Sequence, residues 1–151
     1  MKIAISTDEY TPLIDTLIAE VEARGHTVSY FGPRKGDKPF DWPEVTLEAV
    51  QEMRNGEADE GIVLCWTGTG CALMANKVPG VRAALCVDAE TAKGARIWNH
   101  ANVLALSLRL TTDATLKEIV KAWFETPYST DEWNVQQIRR VERQEIGQHS
   151  S

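Results

Sequence analysis

The sequence contains little cysteine and histidine, and this limits the metal and disulfide chemistry it can support. Its three cysteines, Cys65, Cys71 and Cys86, are an odd number without C-x-x-C spacing, and three histidines accompany them. This pattern argues against a disulfide framework and against a structural zinc site. We therefore expect reduced thiols and no resident metal.

Long apolar runs and an excess of basic residues are also missing. The chain has no stretch of about 18 apolar residues, and its first residues lack the apolar run of a secretory signal. Lys and Arg number 16 against 22 Asp and Glu, which gives a formal net charge of −6, whereas nucleic-acid-binding domains usually carry a basic patch. We therefore expect a cytoplasmic protein that binds neither membranes nor nucleic acid. A small anionic substrate stays compatible, because a site can be locally positive on an acidic protein.

What the chain does contain is a regular alternation of short apolar runs and longer amphipathic segments. Strands are predicted at Lys2–Ser6, His26–Phe31, Gly61–Cys65, Arg82–Val87 and Val103–Ser107. Helices are predicted at Pro12–Arg24, from Asp41-Trp42-Pro43 to Asn55-Gly56, from Gly70 to about Lys77, and at Asp88–Trp98, Asp113–Phe124 and Thr130–Ile146.

This alternation predicts βαβ units and hence an α/β fold. At 151 residues the chain has the size of one domain. We expect a Rossmann-like three-layer sandwich over residues 1–146, with a five-stranded parallel sheet flanked by helices, and a frayed tail over residues 147–151.

Two predicted strand ends carry polar side chains that suit a binding site. Thr7-Asp8-Glu9 follows the first strand, and Cys65-Trp66-Thr67-Gly68-Thr69-Gly70 follows the third. Ligands of open parallel sheets bind beyond the carboxyl ends of strands. Backbone N–H groups of the second segment can hold an oxyanion, and its thiol can act as a base or nucleophile. A buried structural cysteine before a tight turn explains the segment equally well. Nucleotide binding is disfavoured, because a third glycine and a P-loop lysine are absent.

A longer pattern is more specific than either strand end. Residues 61–70 read Gly-Ile-Val-Leu-Cys-Trp-Thr-Gly-Thr-Gly, and residues 75–86 read Ala-Asn-Lys-Val-Pro-Gly-Val-Arg-Ala-Ala-Leu-Cys. With the opening strand, Asp41-Trp42-Pro43 and residues 101–106, they resemble the ribose-5-phosphate isomerase B family, which includes the galactose-6-phosphate isomerase subunits. The resemblance extends from residue 1 to about residue 142.

The resemblance implies aldose–ketose isomerisation of a small sugar or sugar phosphate through a cis-enediol, without metal or cofactor. It assigns the base to Cys65 and a ring-opening role to Thr67. It implies that the backbone of residues 66–70 holds the enediolate and that Asp8 contacts a sugar hydroxyl. It also implies a homodimer, sometimes paired into a tetramer, in which Asn99 reaches the substrate across the interface.

Several departures from the family pattern affect the expected substrate. Glu9 stands where the family has a histidine, Trp98 replaces the ring-opening histidine, and Gln136 falls where the first of two phosphate-binding arginines is usual. The second arginine aligns with Arg140. We therefore expect a substrate other than ribose 5-phosphate, either a shorter sugar phosphate that needs no ring opening or an unphosphorylated sugar. An alternative is a catalytically inactive sugar-binding or regulatory protein on the same scaffold.

The remaining large or reactive side chains have simpler interpretations. Trp66 and Trp98 could form an aromatic wall of the pocket, with packing between helices or subunits as the equal alternative. Cys71 and Cys86 are interpreted as small core residues. Trp123, Phe124 and Trp133 are assigned to the core or to a dimer face.

Overall fold

The computed structural model describes residues 1–148 and contains five strands and six helices. The strands are β1 (Lys2–Thr7), β2 (Thr27–Phe31), β3 (Glu60–Cys65), β4 (Ala83–Leu85) and β5 (Val103–Ser107). The helices are α1 (Pro12–Glu22), α2 (Trp42–Arg54), α3 (Thr69–Ala75), α4 (Ala89–Asn99), α5 (Asp113–Glu125) and α6 (Glu132–Gln148). None of these helices is both long and apolar enough to cross a membrane.

The five strands form one parallel sheet in the order β2-β1-β3-β5-β4. Alternate residues of each strand face opposite layers of helix, because side chains alternate along a strand. One face contacts α1, α4 and α5 through a buried cluster that includes Ile3, Ile5, Ile62, Leu64, Leu104 and Leu106. The other face packs against α2 and α3 through Ala4, Val63, Cys65, Val103 and Ala105. The predicted three-layer α/β sandwich is confirmed.

Several elements begin or end one or two residues from the predicted positions, and at β4 and the last helix the structure shows why. The edge strand β4 has three residues instead of the six predicted from Arg82 to Val87, because the chain turns at once into α4. There the Asp88 carboxylate accepts a hydrogen bond from the Thr91 N–H at 2.7 Å and caps the helix.

The last helix begins two residues later than predicted, because Asp131 caps it. The Asp131 carboxylate accepts hydrogen bonds from Trp133 N and Asn134 N at 3.0 and 3.3 Å. At its other end the helix includes Gly147 and Gln148, which were predicted to belong to the tail. The rest of that predicted tail lies outside the described residues.

The sheet order places a topological switch point between β1 and β3. The chain leaves β1 toward β2 on one side, and it leaves β3 toward the β5–β4 half on the other side. Helices diverging from neighbouring strands leave a crevice at their carboxyl ends, which is where open α/β sheets bind ligands. Asp8 follows β1 and Cys65 ends β3, so both predicted site segments meet at this crevice.

Candidate active site

Cys65 is the last residue of β3 and lies opposite Ser107 of β5. The loop that follows is held by hydrogen bonds from the end of β5. Leu108 N donates to Cys65 O at 2.9 Å, Arg109 N donates to Trp66 O at 3.0 Å, and the Ser107 hydroxyl donates to Trp66 O at 2.9 Å. The thiol therefore sits on a backbone that is fixed on both sides.

Gly68 allows the chain to turn back sharply after Cys65. Its φ is +77°, a left-handed conformation that side chains disfavour. A Cβ atom here would lie 2.5 Å from Leu85 Cδ1 and 3.0 Å from backbone atoms of Leu106 and Ser107. The turn therefore requires glycine for both its dihedral angle and its contacts, and it places the start of α3 against Cys65.

The turned loop directs several hydrogen-bond donors at the Cys65 sulfur. The side chain of Cys71 contributes most to lowering the pKa of Cys65, and the backbone N–H groups of Cys71, Gly68 and Gly70 add to it. Burial acts in the opposite direction, and the net result is a pKa of about 5. Cys65 is therefore a thiolate at neutral pH, the ionisation state that a general base needs.

Cys71 is the small core residue that the sequence analysis predicted, and it lies in the same buried cluster as Cys65. Its side chain is fully buried, and its sulfur lies 3.3 Å from Gly68 O and 3.5 Å from Val63 O. The nearby Cys65 sulfur, together with burial, raises the pKa of Cys71 far above that of an ordinary thiol. Cys86 matches its predicted core role, since burial raises its pKa to about 12.

Asp8 lies beside Cys65 across the switch point and is half-buried. Burial contributes most to raising its pKa, the negative charge of Cys65 adds to this, and the pKa reaches about 6. Its Oδ1 atom is buried and accepts no hydrogen bond within the described residues. A buried carboxylate oxygen without a partner is an acceptor available to a ligand hydroxyl. The next residue, Glu9, is exposed.

The mouth of the crevice carries hydroxyl and aromatic groups. The Thr67 and Thr69 hydroxyls are 2.8 Å apart and both residues are exposed. Trp66 is also exposed, at 53% of its surface. This loop brings together six of the predicted site residues, from Cys65 through Gly70.

Two further residues reach this region without having been singled out for the site. A Cβ atom on Gly70 would lie 3.1 Å from the Trp42 ring, so this half-exposed ring packs against the loop. Arg109 is exposed and its backbone is bonded to Trp66, which brings a cation to the same edge of the sheet. The sequence contained a signal for each residue. Trp42 belongs to the Asp41-Trp42-Pro43 motif, and Arg109 follows β5 directly, where loops of open α/β sheets face the ligand.

Trp98 and Asn99 do not join this cluster within one chain. They lie at the end of α4, which runs antiparallel to the strands. This places them at the amino-terminal ends of the strands, just before β5. Cys65 pairs with the last residue of β5, so the length of that strand separates the two edges by about 13 Å. Trp98 and Trp66 therefore form no common wall within one protomer.

Gln136 and Arg140 lie on α6, which packs against α4. Both are exposed, with Gln136 bonded to Glu132 and Arg140 bonded to Gln137. Next to them is a groove of about 550 Å³, lined by the start of β4, the end of α4 and one side of α6. Trp98 and Asn99 line this groove. The predicted site residues thus form two groups at opposite edges of the sheet.

Comparison with known proteins identifies the family. The family model described as Ribose/Galactose Isomerase matches residues 3–143. The chain belongs to this family. The resemblance found in residues 61–86 is therefore confirmed, and so is the expected enzyme class, since the relatives include a galactose-6-phosphate isomerase subunit and a ribose-5-phosphate isomerase B.

Individual members match this chain over most of their length. Galactose-6-phosphate isomerase subunit LacB of Clostridium acetobutylicum is 34% identical over 143 residues, covering 94% of this chain and 82% of the relative. The D-erythrulose-4-phosphate isomerase of Pectobacterium atrosepticum is 35% identical over 130 residues, covering 85% of each protein. The structure of ribose-5-phosphate isomerase B from Mycoplasma genitalium with bound ribulose-5-phosphate has a TM-score of 0.88 and 31% identity, with 96% of each chain covered.

Proposed function

We propose that this family member interconverts a four-carbon ketose phosphate and its aldose phosphate through a cis-enediolate, with Cys65 as the base. The observation that carries this proposal is Trp98 at the position where the family resemblance places a ring-opening histidine.

The chemistry begins with the Cys65 thiolate. It removes a proton from the carbon next to the substrate carbonyl, so that a C–H bond breaks, an S–H bond forms and the carbonyl oxygen becomes an enediolate oxygen. The thiol then returns the proton to the neighbouring carbon, and the carbonyl has moved by one position. A base near its substrate with a lowered pKa contributes about 10²–10⁴-fold to such a step.

The surrounding groups move the second proton and orient the sugar. Isomerisation also requires a proton to pass between the oxygens on C1 and C2, and the paired Thr67 and Thr69 hydroxyls suit that relay at 2.8 Å from each other. Loop N–H groups stabilise the negative charge that develops on the substrate. Asp8 Oδ1, which is buried and has no hydrogen-bond partner among residues 1–148, accepts a hydrogen bond from a sugar hydroxyl.

The substrate assignment rests on ring closure, which a four-carbon sugar phosphate cannot undergo. Aldopentose and aldohexose phosphates close into rings and need an acid or base to open them. In a four-carbon sugar 4-phosphate the O4 atom is esterified, and closure through O3 would give a strained four-membered ring. Such a sugar stays in its open-chain form, so its isomerisation does not need a ring-opening side chain at position 98. The named activity of the Pectobacterium relative, a D-erythrulose-4-phosphate isomerase, supports this choice.

Charge at the site constrains the position of the phosphate. Glu9 is an exposed anion beside Asp8, and a phosphate with nearly two negative charges is repelled from it at short range. Arg109 supplies a cation on the other side of the crevice, next to Trp66. We infer that the phosphate binds toward Arg109, together with Arg140 from a second copy of the chain.

The second copy is needed because the site residues form two separate groups. Asn99 and Trp98 can reach Cys65 only from another protomer, since the sheet separates the two groups within one chain. Exposed large apolar side chains on the surface support such an association; they include Trp66, Leu73, Val87, Trp98, Leu110 and Trp133. We propose a homodimer, compatible with pairing into a tetramer. Its catalytic thiol must stay reduced, which suits the cytoplasmic location expected from the sequence.

The substrate assignment is tested by comparing kcat/KM for erythrulose 4-phosphate, ribose 5-phosphate, ribulose 5-phosphate and galactose 6-phosphate. We expect the four-carbon phosphate to be the best substrate, with a kcat/KM well above those for ribose 5-phosphate and galactose 6-phosphate. A Trp98→His variant should raise kcat/KM for ribose 5-phosphate and leave that for erythrulose 4-phosphate unchanged within about threefold. Efficient turnover of ribose 5-phosphate by the unmodified protein would contradict the proposal. No turnover of any sugar would favour the non-catalytic binding alternative.

A further inference from the structure

His100, the residue after Asn99, ends α4 in an unusual backbone conformation. Its φ and ψ are +46° and +41°, and it is the one residue other than glycine with a positive φ in residues 1–148. Glycine is the usual residue at such a helix end, because a left-handed backbone is strained for most side chains. Strain of this kind persists where the side chain makes contacts that outweigh it. The contacts of the His100 ring are therefore the reason that a glycine is not found here.

The His100 ring joins the end of α4 to the segment that leads into α6. The ring stacks on Tyr128, with the two centroids 4.7 Å apart and the planes inclined by 5°. Its Nε2 atom lies 3.0 Å from Ser129 O, and because a carbonyl oxygen only accepts, Nε2 carries the hydrogen. The Arg82 guanidinium donates to His100 O at 2.8 Å. Both the ring and the backbone of His100 are therefore held in place.

Ser129 continues this connection into α6. Its N–H donates to Ile97 O of α4 at 3.3 Å. Its hydroxyl accepts from Asp131 N at 3.1 Å and from Asn134 Nδ2 at 2.9 Å. Through Ser129 and the His100 ring, the end of α4 is tied to the first turn of α6.

We propose that His100 is a positioning residue of the isomerase proposed above, which holds Asn99 where it can reach the substrate in a partner protomer. Asn99 is exposed, so its position depends on the backbone that carries it. His100 is the next residue along that backbone and is the point at which the backbone is tied down. This role rests on the proposed function, since Asn99 needs a fixed position only if it contacts substrate.

The first test compares amide hydrogen exchange in His100→Gly, His100→Asn and the unmodified protein. Both replacements tolerate a left-handed backbone and both remove the ring, but only glycine also loosens the chain. We expect the Ser129 amide, which bonds Ile97 O, to exchange at least about fivefold faster in both variants, because local opening becomes easier without the ring contacts.

His26→Ala is the matched control. The His26 ring also contacts an aromatic ring, that of Phe124 at 4.5 Å, but it lies beside β2 at the far edge of the sheet from β5 and β4. Its replacement should leave exchange at Ser129 and kcat/KM within about twofold of the unmodified protein.

The second test measures kcat and KM with the sugar phosphates that the unmodified protein turns over. We expect kcat/KM to fall by about tenfold or more in both His100 variants, mainly through a higher KM, because a misplaced contact binds substrate less well. Combining His100→Asn with Asn99→Ala should lower kcat/KM no further than Asn99→Ala alone, since His100 acts through Asn99. The pH midpoint of Cys65 alkylation by iodoacetamide, measured without substrate, should not change, because Cys65 lies at the other end of β5.

Circular dichroism and urea unfolding establish that each variant is folded. Unchanged exchange at Ser129, or faster exchange without a loss of kcat/KM, would overturn the proposal. So would a loss confined to His100→Gly, a further loss in the double variant, or a shifted alkylation midpoint. If His100→Asn does not fold, His100→Gly, which relieves the strained φ, takes its place in the double variant. No turnover of any sugar phosphate by the unmodified protein would instead contradict the proposed function, and the exchange rates would still show whether His100 fixes the end of α4.

Discussion

At the scale of single residues, the pKa values of two neighbouring acids are shifted in opposite directions. Hydrogen bonds lower the pKa of Cys65 to about 5, while burial and the nearby thiolate raise that of Asp8 to about 6. Environments that separate acids in this way are typical of catalytic sites. Both groups are ionised at pH 7, so one is ready to take a carbon-bound proton and the other to accept a hydrogen bond.

The pH dependence of kcat/KM follows from these two pKa values. The active form has both groups deprotonated, so activity is lost as pH falls through each pKa. We expect kcat/KM to be flat near neutral pH, to fall below about pH 6 as Asp8 is protonated, and to fall more steeply below about pH 5 as Cys65 is protonated. The measurement is initial rate at low substrate concentration across this range.

The matched control is Asp8→Asn, which cannot titrate at this position. Its profile should lose the first decrease and keep the second, while KM for the sugar rises because an amide accepts a hydroxyl proton less strongly than a carboxylate. An acid limb centred near pH 9, as for an ordinary thiol, would show that the loop does not stabilise the Cys65 thiolate.

The effect of Cys71 on the pKa of Cys65 could not be predicted from the sequence. Cys65 ends a strand and Cys71 lies in the next helix, so no single periodicity relates the two residues, and a buried free cysteine is most often packing. Gly68, which reverses the chain between them, brings the two residues into one buried cluster. Similarly, nothing in the linear pattern shows that the Trp42 ring lies against Gly70.

At the scale of secondary-structure elements, the β3–α3 turn is the most constrained segment of the site. Gly68→Ala adds both an unfavourable φ and a clash with Leu85 and the β5 backbone. We expect it to lower the free energy of unfolding by about 2–4 kcal/mol and to raise the alkylation midpoint of Cys65. Urea unfolding and alkylation rates measure the two effects.

Gly80→Ala is the control for the dihedral angle alone. Gly80 also has a positive φ, +83°, but a Cβ atom there meets nothing within 4 Å. Its substitution should cost about 1 kcal/mol and leave Cys65 reactivity unchanged. If the two alanine variants behave alike, close packing of the turn is not what shapes the site.

A second element-scale feature is a buried ion pair at the opposite edge of the sheet. Arg96 of α4 bonds Glu60 at the start of β3 at 2.9 Å, and Trp123 of α5 donates to the same carboxylate at 2.8 Å. Arg96 also donates to Ala101 O at 2.7 Å. This network joins α4 and α5 to the sheet and fixes the end of α4 that carries Asn99.

Arg96→Ala should destabilise the fold by about 3–5 kcal/mol, because it leaves a buried carboxylate without its cation. Lys93→Ala is the comparison, since Lys93 is a half-exposed partner of exposed Glu90 on the same helix. Its removal should change the free energy of unfolding by less than about 1 kcal/mol. Equal effects in urea unfolding would mean that the network does not anchor the helix.

The order and type of the elements could be predicted from the sequence, because fully apolar runs such as Gly61–Cys65 contrast with helices that are apolar on one side. Element ends were less predictable. The end of β4 depends on Asp88 capping α4 in competition with strand pairing, and α6 continues through Gly147, a residue type that commonly ends helices.

At the scale of the whole molecule, the predicted site residues lie in two groups at opposite ends of the strands. The sequence predicted both groups of residues, and the family resemblance implied that Asn99 acts across an interface. The predicted βαβ order already implies this separation, because the helix that precedes a parallel strand runs antiparallel to it and ends where that strand begins. The sheet order that creates the switch point between β1 and β3, by contrast, is a property of the folded chain.

Complementation tests the divided site. Cys65→Ala and Asn99→Ala homodimers each lack one required group at both sites and should have low activity. Mixed after subunit exchange, half of the molecules should be heterodimers with one intact site each, so activity should recover to about a quarter of that of the unmodified protein. Mixing Cys65→Ala with the Cys65→Ala, Asn99→Ala double variant should recover nothing. Absence of recovery in demonstrated heterodimers would place the complete site within one chain.

Solvent deuterium exchange tests proton transfer by Cys65 most directly. The protein is incubated with erythrulose 4-phosphate in heavy water, and deuterium at C1 and C2 is followed by NMR beside Cys65→Ser. We expect incorporation at the carbons that gain and lose the proton, and a loss of at least about 10²-fold in the variant. Incorporation that persists in folded Cys65→Ser, or none with the unmodified protein, would contradict proton transfer by Cys65 to this substrate.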